Sequence, residues 1–397
     1  MRQVEAFLKY NFMQLRHFFR VTFFSLIVSS CDRSSVETAP EPLKEEVRQA
    51  SILKYAKRFS ISTNEVFTRV DLYGDRYSNA ITSSFLIYSG TAHPETWPHI
   101  TQIKAPCEKV AALSSIYATM LCELGAGESL VAIDNIDYVN NAFIIKKYSE
   151  GKLKELMKAP QIDLEQAVVL HPDIIFTFGM GEGEKDKDKK LEQTGIPVAI
   201  SIDHLEESPL ARAEWIKFFA VFVNKEKEAD SIFNVVEKNY YALKEIAAKT
   251  KERPTVFNEI KYSDSWYMPG GKSFVAQLLH DAAANYLWKE DTHPGSLPLS
   301  FEQVFAKAKD ADFWINLSTL KTKKELLGFE SRYAEFKAYK NGSLYNNTKV
   351  INSKGYSNYW ETGMIYPDRI LSDLIQIFHP EVRSQINKDF HYYEQIR

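Results

Sequence analysis

Cysteine is scarce in this chain of 397 residues, which contains only Cys31, Cys107 and Cys122. The three cysteines form no CxxC pair and no cluster with histidine, so a structural zinc site is not expected. The charged loop at residues 182–190 contains no histidine, although a dedicated zinc- or manganese-binding protein needs several convergent ligands. The net charge of -3 and the lack of a basic run interleaved with aromatic residues argue against nucleic acid as a partner.

Motifs of catalysis and nucleotide binding are missing too. Residues 271–273 resemble the end of a phosphate-binding loop, but Trp266 stands where that loop needs glycine. The glycines of residues 179–183 follow a predicted strand, yet a charged, solvated loop comes next instead of a helix start that could hold pyrophosphate. No GxSxG or HExxH sequence occurs. The chain is therefore not expected to be an enzyme or to carry a resident cofactor or metal.

The N-terminus has the pattern of an export signal. Residues 21–28 are apolar and follow the basic residues Arg16 and Arg20, and the apolar run is too short to span a bilayer as a helix. Residues 28–31, Val-Ser-Ser-Cys, resemble a bacterial lipobox. That resemblance implies that Cys31 becomes the first mature residue and carries lipid. The alternative is a buried N-terminal helix that happens to end in cysteine.

A polar segment with two prolines follows this cysteine, as a flexible tether should. We therefore expect a lipoprotein signal peptide at residues 1–30 and a flexible tether at residues 31–50. Met13 is an alternative start, since a signal that begins there has more usual proportions. The expected location is the periplasm or cell envelope, with the protein anchored to a bacterial membrane by lipid only.

Two segments of different pattern precede the middle of the chain. Residues 51–104, which we call the extension, contain alternating apolar and polar stretches that predict short strands. Residues 105–208 alternate short strands with short helices, which predicts a mostly parallel sheet covered on both faces. We expect this second segment to form an N-terminal α/β lobe.

A long helix is predicted in residues 209–253. Apolar residues recur there at helical spacing, and a helix over residues 225–249 would run roughly 37 Å at 1.5 Å per residue. The α/β pattern restarts in residues 254–397, which we expect to form a C-terminal lobe. Residues 164–168 and 301–305 echo each other, which indicates two similar lobes with a ligand cleft between them.

Four segments resemble the periplasmic binding proteins of the vitamin B12, iron–siderophore and haem importers. These segments are residues 112–133, 163–179, 266–288 and 298–315, in the order that this family shows. The resemblance covers most of residues 105–397. It implies the class III fold, in which two α/β lobes are joined by one rigid helix. It also implies a monomeric protein that delivers a small ligand to an ABC permease and its ATPase.

The resemblance places the family's two docking glutamates on Glu165 and Glu302. Two carboxylates on separate rigid lobes can register against two basic pockets of a permease and guide docking. The alternative is structural, because a glutamate early in a helix is favoured by the helix dipole.

The ligand-binding candidates are aromatic or apolar residues near predicted strand ends and in loops. Ligands of open α/β sheets meet the carboxyl ends of the strands, and aromatic residues reach 13% of the chain. The alternatives are large aromatic cores and a packed loop at residues 355–363. The candidates are Tyr138, Phe178, Met180, Trp266, Tyr267, Tyr356, Tyr359 and Trp360.

A ferric siderophore is the ligand that these residues favour, with haem or a corrinoid as alternatives. Aromatic faces with hydroxyl and indole donors suit a large metal chelate. Only Lys261, Lys272 and Arg369 are basic candidates nearby, so a neutral hydroxamate-type chelate fits better than a highly anionic one. Hypotheses of other classes are a surface lipoprotein enzyme acting on glycans or peptides and a structural or adhesive lipoprotein.

Overall fold

The computed structural model describes residues 49–50, 53–90, 100–158, 161–386 and 389–397. Cys31, the predicted signal peptide and nearly all of the predicted tether lie outside these residues. Within the described part of the chain, no helix combines the length and the apolar character that a bilayer span requires.

A five-stranded sheet precedes the first lobe, with its strands in sequence order from β1 to β5. Pairing is antiparallel from β1 to β4, whereas β5 runs parallel to β4. The buried Phe59 and Ile61 alternate with more exposed residues, as expected for a sheet with one covered face. The strands are β1 (Gln49–Ala50), β2 (Phe59–Thr63), β3 (Phe67–Leu72), β4 (Ser83–Ser89) and β5 (Thr101–Ala105).

Two buried glutamates fix the start of the extension to the rest of the protein. The carboxylate of Glu214 accepts hydrogen bonds from three successive backbone amides, those of residues 54–56, at 2.8–3.0 Å. The carboxylate of Glu206 accepts hydrogen bonds from the next two amides, those of residues 57 and 58, each at 3.0 Å. Hydrogen bonds to a charged acceptor are among the stronger ones in proteins, so the path of the chain is well defined here.

The N-terminal lobe contains a parallel sheet with the strand order β12-β11-β6-β7-β8. A short antiparallel pair, β9 with β10, lies beside it. The strands are β6 (Val110–Ala112), β7 (Leu130–Ile133), β8 (Lys154–Glu155), β9 (Met157–Lys158), β10 (Gln161–Ile162), β11 (Ile174–Phe178) and β12 (Val198–Ser201). The helices are α1 (Ser115–Glu123), α2 (Ala142–Ser149), α3 (Leu164–Leu170) and α4 (Lys189–Glu192).

Three helices lead from this lobe to the next: α5 (Pro209–Glu214), α6 (Ile216–Phe222) and α7 (Glu226–Ala248). The phenyl rings of α6 pack on Phe176 of β11, whose ring centroid lies 5.0 Å from that of Phe219 and 5.1 Å from that of Phe222. The 23 residues of α7 give a length of about 35 Å. Because α7 packs on both α6 and the last helix of the chain, it spans the two lobes as the sequence predicted.

The C-terminal lobe repeats the parallel arrangement, with the order β16-β13-β18-β19-β20, in which only β20 is antiparallel to its neighbour. A separate antiparallel sheet has the order β14-β15-β17. The strands are β13 (Thr255–Asn258), β14 (Lys261–Tyr262), β15 (Ser265–Pro269), β16 (Asn285–Tyr286), β17 (Ser296–Leu299), β18 (Phe313–Ile315), β19 (Leu344–Asn346) and β20 (Glu394–Gln395). The helices are α8 (Phe274–Asp281), α9 (Phe301–Ala308), α10 (Lys323–Phe329), α11 (Lys337–Asn341) and α12 (Pro367–Phe378).

The sequence pattern of this lobe also predicts a strand at residues 349–352, and this prediction is wrong. Residues 349–352 form only an isolated bridge, between Ile351 and Ser357, and the strand of the sheet is β19 instead. Asn346 is the last residue of β19. Its side-chain amide donates hydrogen bonds to the carbonyl oxygens of Ser318 and Leu320 at 2.9 and 2.7 Å. These bonds tie the end of the strand to a neighbouring loop, and the chain leaves the sheet there.

Candidate functional site

The carboxyl ends of the two parallel sheets are joined by a polar seam. On one side lies the loop after β7, residues 134–141, and on the other lies the long loop after β19, residues 347–366. The side-chain amide of Asn352 donates hydrogen bonds to the carbonyl oxygens of Asp137 and Val139, both at 2.9 Å. The ammonium group of Lys354 lies 3.2 Å from the carboxylate of Asp137. The sequence predicted a cleft at this edge, and the structure brings the two loops into contact.

Glu361 makes the most extensive contact across the seam. Its side chain belongs to the C-terminal lobe but accepts hydrogen bonds from the hydroxyl of Thr119 at 2.6 Å and from the backbone amides of Asn140 and Asn141 at 2.7 and 3.1 Å. The side-chain amide of Asn140 donates a fourth bond at 3.1 Å. Burial raises the pKa of Glu361, while these donors act in the opposite direction. We call this arrangement the Glu361 clasp.

Two of the predicted ligand-binding residues meet across the seam. The rings of Tyr138 and Tyr356 contact each other edge to face, with their centroids 4.8 Å apart. Tyr138 is half-buried and Tyr356 is 6% exposed. Burial raises the pKa of Tyr138, so its hydroxyl stays protonated and can donate a hydrogen bond at neutral pH.

Trp266 and Tyr359 require a correction, because both are core residues. Trp266 is fully buried, packs against Trp314 at a centroid distance of 5.7 Å, and donates its indole N–H to the carbonyl oxygen of Asn258 at 2.9 Å. Tyr359 is 1% exposed and packs against Tyr393 at 5.8 Å. Neither ring can contact a ligand while it is buried in this way. Aromatic rings at these positions therefore reflect the large core of the C-terminal lobe.

The remaining candidates are more accessible. Phe178 ends β11 and is 41% exposed, and Met180 follows it with a half-buried side chain. Tyr267 on β15 and Trp360 are also half-buried, and the Trp360 ring packs edge to face on that of Tyr359 at 4.8 Å. The structure thus brings Tyr138 and Tyr356 together across the seam and pairs Trp360 with the buried Tyr359.

Buried polar groups near the strand ends escaped the sequence analysis. In the described part of the chain, Oδ1 of Asp134, Nε2 of His204 and Nδ2 of Asn258 are buried without a hydrogen-bond partner. Burial raises the pKa of Asp134 to about 7 and lowers that of His204 to about 4. Such groups are expected to find partners, so they are available to a ligand or water. Asp134 follows β7, His204 follows β12 and Asn258 ends β13. Their positions at strand ends are the one feature of the sequence that could have marked them as site residues.

Glu259 lies directly after β13, and its backbone φ is positive, at 64°. Its side chain adds a carboxyl group at this strand end. Burial raises its pKa to about 8. At neutral pH this carboxyl group is therefore mostly protonated, and it can donate as well as accept a hydrogen bond. A non-glycine residue with positive φ is uncommon and often marks a functional site.

A pocket of about 600 Å³ lies where the extension meets the loop after β12. This volume is within the usual range for a small-molecule site. The bond from the backbone amide of Arg76 to the carbonyl oxygen of Gly181, at 2.9 Å, closes one side of it against the loop after β11. More than half of the lining comes from the extension, and the lining residues are Tyr55, Lys57, Arg58, Arg76, Tyr77, Ser78, Asn79, Leu205, Glu206, Glu207, Ser208, Ala211 and Gln277.

Both predicted docking glutamates are exposed in the first turns of helices in different lobes. Glu165 lies in α3, after the N-cap residue Asp163, and Glu302 lies in α9. The carboxylate of Glu302 is 3.1 Å from the guanidinium of Arg332, which Glu330 also holds at 2.9 Å. The side chain of Glu302 remains 73% exposed despite this pairing.

The two described cysteines are unpaired thiols. Cys107 is buried and Cys122 is half-buried, and burial raises the pKa of each thiol to about 12. Both thiols are therefore protonated at neutral pH and behave as small apolar side chains. The sequence allows a disulfide bond between the two cysteines but favours a free buried thiol, because Cys122 lies on the apolar face of a predicted helix; both thiols are free in the structure.

The opposed sheets, the helix that spans them and the polar seam define a two-lobed solute-binding protein. A family model described as periplasmic binding protein matches residues 110–350, which is more than half of the chain. The chain belongs to this family. It is a solute-binding protein of the ABC importer type rather than an enzyme, and such a protein works with a permease, an ATPase and a small ligand.

Relatives and solved structures agree with this assignment. An uncharacterised lipoprotein of Methanocaldococcus jannaschii is 28% identical over 352 residues, which cover 83% of this chain and 82% of the relative. A possible iron-binding protein from Staphylococcus epidermidis has a TM-score of 0.52 and 18% identity, covering 69% of this chain and 99% of that one. A periplasmic heme-binding protein from Roseiflexus has a TM-score of 0.53 and 19% identity, covering 69% and 98%. At these identities, the two structures show the fold alone.

The Glu361 clasp generates a first prediction. Glu361→Ala removes four hydrogen bonds and leaves buried donors without an acceptor, so it should lower the free energy of unfolding by about 3 kcal/mol. It should also broaden the distance distribution between spin labels placed at the exposed positions Lys146 and Lys309, one on each lobe. Glu245→Ala, at an exposed position of α7, is the control and should change neither measurement. An unchanged distance distribution in the Glu361 variant would show that the clasp does not hold the lobes.

Proposed function

We propose that this protein is the lipid-anchored substrate-binding component of an ABC importer that captures an iron–siderophore-type metal chelate. The observation that supports this proposal best is the polar, tyrosine-containing seam between the carboxyl ends of the two sheets. Ligands of open α/β sheets bind at that edge. Polar groups without a hydrogen-bond partner, at Asp134, His204 and Asn258, lie at or shortly after the carboxyl ends of strands in the two lobes.

The choice of a chelate rests on the chemistry of these side chains. Tyr138 offers a half-exposed ring face together with a hydroxyl group, and the ring of Tyr356 packs on it edge to face. Such a surface suits a large and rigid ligand that is bound mainly by shape. The iron-binding and heme-binding names of the two structural neighbours favour the same class of ligand. Haem is the second candidate, because a tyrosine or histidine can coordinate its iron, and cobalamin is the third.

Binding measurements on the purified protein test this function. The panel is a ferric trihydroxamate, ferric citrate, haemin and cobalamin, followed by tryptophan quenching and thermal unfolding. A ligand at about a hundredfold above its dissociation constant should add about 2.7 kcal/mol of stability. A gain in stability with haemin or cobalamin alone would identify that compound as the ligand in place of a siderophore, and the importer function would stand. Binding of none of these ligands, with binding of an oligosaccharide or peptide instead, would contradict the proposal.

Docking to the permease is proposed to use Glu165 and Glu302. Their carboxylates are exposed, lie on different lobes and occupy equivalent places in α3 and α9. The pairing of Glu302 with Arg332 holds that carboxylate in one position without covering it. A pre-positioned charge loses less conformational entropy when it binds a partner.

Charge reversal at both positions tests this docking role. Glu165→Arg with Glu302→Arg should lower uptake of the bound chelate by about tenfold or more, because both contacts with basic permease pockets become repulsive. The dissociation constant for the chelate should change by less than about twofold, since neither residue lies in the seam. Reversal at the exposed Glu245 and Glu252 is the matched control and should leave uptake intact. Wild-type uptake by the first variant would rule out the docking role.

The membrane anchor is proposed to be a lipid on Cys31. Substitution Cys31→Ala should abolish incorporation of a labelled fatty acid, because no thiol is then available at the lipobox. Thermal unfolding of the soluble part should not change, since this residue precedes both lobes in the chain. Cys107→Ala is the control and should keep the label. Equal labelling of the Cys31 variant and the wild type would disprove the anchor.

A further inference from the structure

Three basic side chains line the pocket between the extension and the loop after β12. They are Lys57, Arg58 and Arg76, and they come from two separate segments of the extension. The acidic lining residues are Glu206 and Glu207. Both carboxylate oxygens of Glu206 already accept backbone N–H groups, and Oε1 also accepts the indole N–H of Trp215 at 3.2 Å. This leaves the basic groups in excess at the pocket surface.

None of the three cations forms an ion pair with a carboxylate in the described part of the chain. Neutral backbone oxygens hold the two arginines instead. Nη1 of Arg58 donates to the carbonyl oxygen of Asp75 at 3.1 Å, and Nη2 of Arg76 donates to that of Met180. A carbonyl group positions a guanidinium without neutralising its charge, so the remaining donors of each guanidinium can receive an anion.

The pocket surface is fixed as well as charged. The carboxylates of Glu206 and Glu214 hold residues 54–58, and the bridge between Asp75 and Glu182 holds the loop that carries Arg76. The ring of Tyr77, which is 85% exposed, lies 5.9 Å from the guanidinium of Arg76. Preorganised donors lose little entropy on binding, and an exposed aromatic ring beside them adds apolar surface for an organic ligand.

We infer that this pocket is a binding site for the carboxylate groups of an anionic metal chelate, with Arg58 and Arg76 as the residues that bind them. The inference rests on the proposed function and specifies the charge of its ligand. Planar guanidinium groups match carboxylates through paired hydrogen bonds. The sequence favours a neutral chelate, because the basic residues near the aromatic candidates are Lys261, Lys272 and Arg369. The cations found here are distant in sequence and meet only in the fold.

Two of those earlier candidates are already engaged elsewhere. The ammonium group of Lys261 lies 3.6 Å from the carboxylate of Glu330, and the guanidinium of Arg369 lies over the ring of Tyr366 at 3.9 Å. Arg58 and Arg76 form no ion pair with a carboxylate within 4 Å in the described part of the chain, although the carboxylate of Glu206 attracts Arg58 at longer range. Their remaining donors are therefore open to a ligand of the pocket.

The test compares anionic and neutral chelates on a charge-removing variant. Wild type and Arg58→Gln with Arg76→Gln are titrated with ferric citrate, with haemin, which carries two propionate groups, and with a neutral ferric trihydroxamate. The variant should bind the anionic chelate about tenfold or more weakly and the neutral chelate within about twofold of wild type. Affinity of wild type for the anionic chelate should fall with added salt, and this dependence should weaken in the variant.

Two further variants separate charge from folding. Arg58→Lys with Arg76→Lys keeps both charges and should recover part of the affinity, whereas Lys104→Gln with Lys189→Gln removes two exposed charges elsewhere and should have no effect. The inference alone is overturned if the glutamine variant binds the anionic chelates as tightly as the wild type does. It is also overturned if the variant loses as much affinity for the neutral chelate as for the anionic ones. Failure of the wild type to bind any chelate overturns the proposed function and the inference with it.

Discussion

The side chain of Glu361 extends from the C-terminal lobe and is buried among hydrogen-bond donors of the N-terminal lobe. The arrangement of the seam depends on this contact. A buried carboxylate is costly unless donors surround it, and four N–H or O–H groups do so here. Their positions fix the loop at residues 134–141 against the loop at residues 347–366. The contact between Tyr138 and Tyr356 lies within the same pair of loops.

The helix α7 limits what the two lobes can do when a ligand binds. Its backbone is continuous over 23 residues, and it packs on helices of both lobes. Bending it would break hydrogen bonds within the helix, whereas the side-chain contacts of the seam can exchange without such a loss. We therefore expect ligand capture to involve local changes in the seam and the pocket more than a wide hinge motion.

The regular elements could be predicted from the sequence because their apolar patterns are local. The apolar pattern predicts helices at residues 164–170 and 367–378 and strands at residues 130–133 and 174–178. Helices α3 and α12 and strands β7 and β11 have these bounds. The site was harder, because burial decides which aromatic residues face a ligand. Trp266 and Tyr359 are aromatic, as Tyr138 is, yet they lie in the core. Arg58, directly before β2, and Arg76, shortly after β3, lie at the same end of the extension sheet because these two strands pair antiparallel, and no motif in the linear sequence marks them.

The carboxylates of Glu206 and Glu214 match the extension to the start of the helical connection. They are buried under the backbone amides of residues 54–58. Without that segment both carboxylates would lose these donors, and water would have to take their place. A relative that lacks the extension has no backbone amides here that favour glutamate, so we expect other residue types at its two corresponding positions.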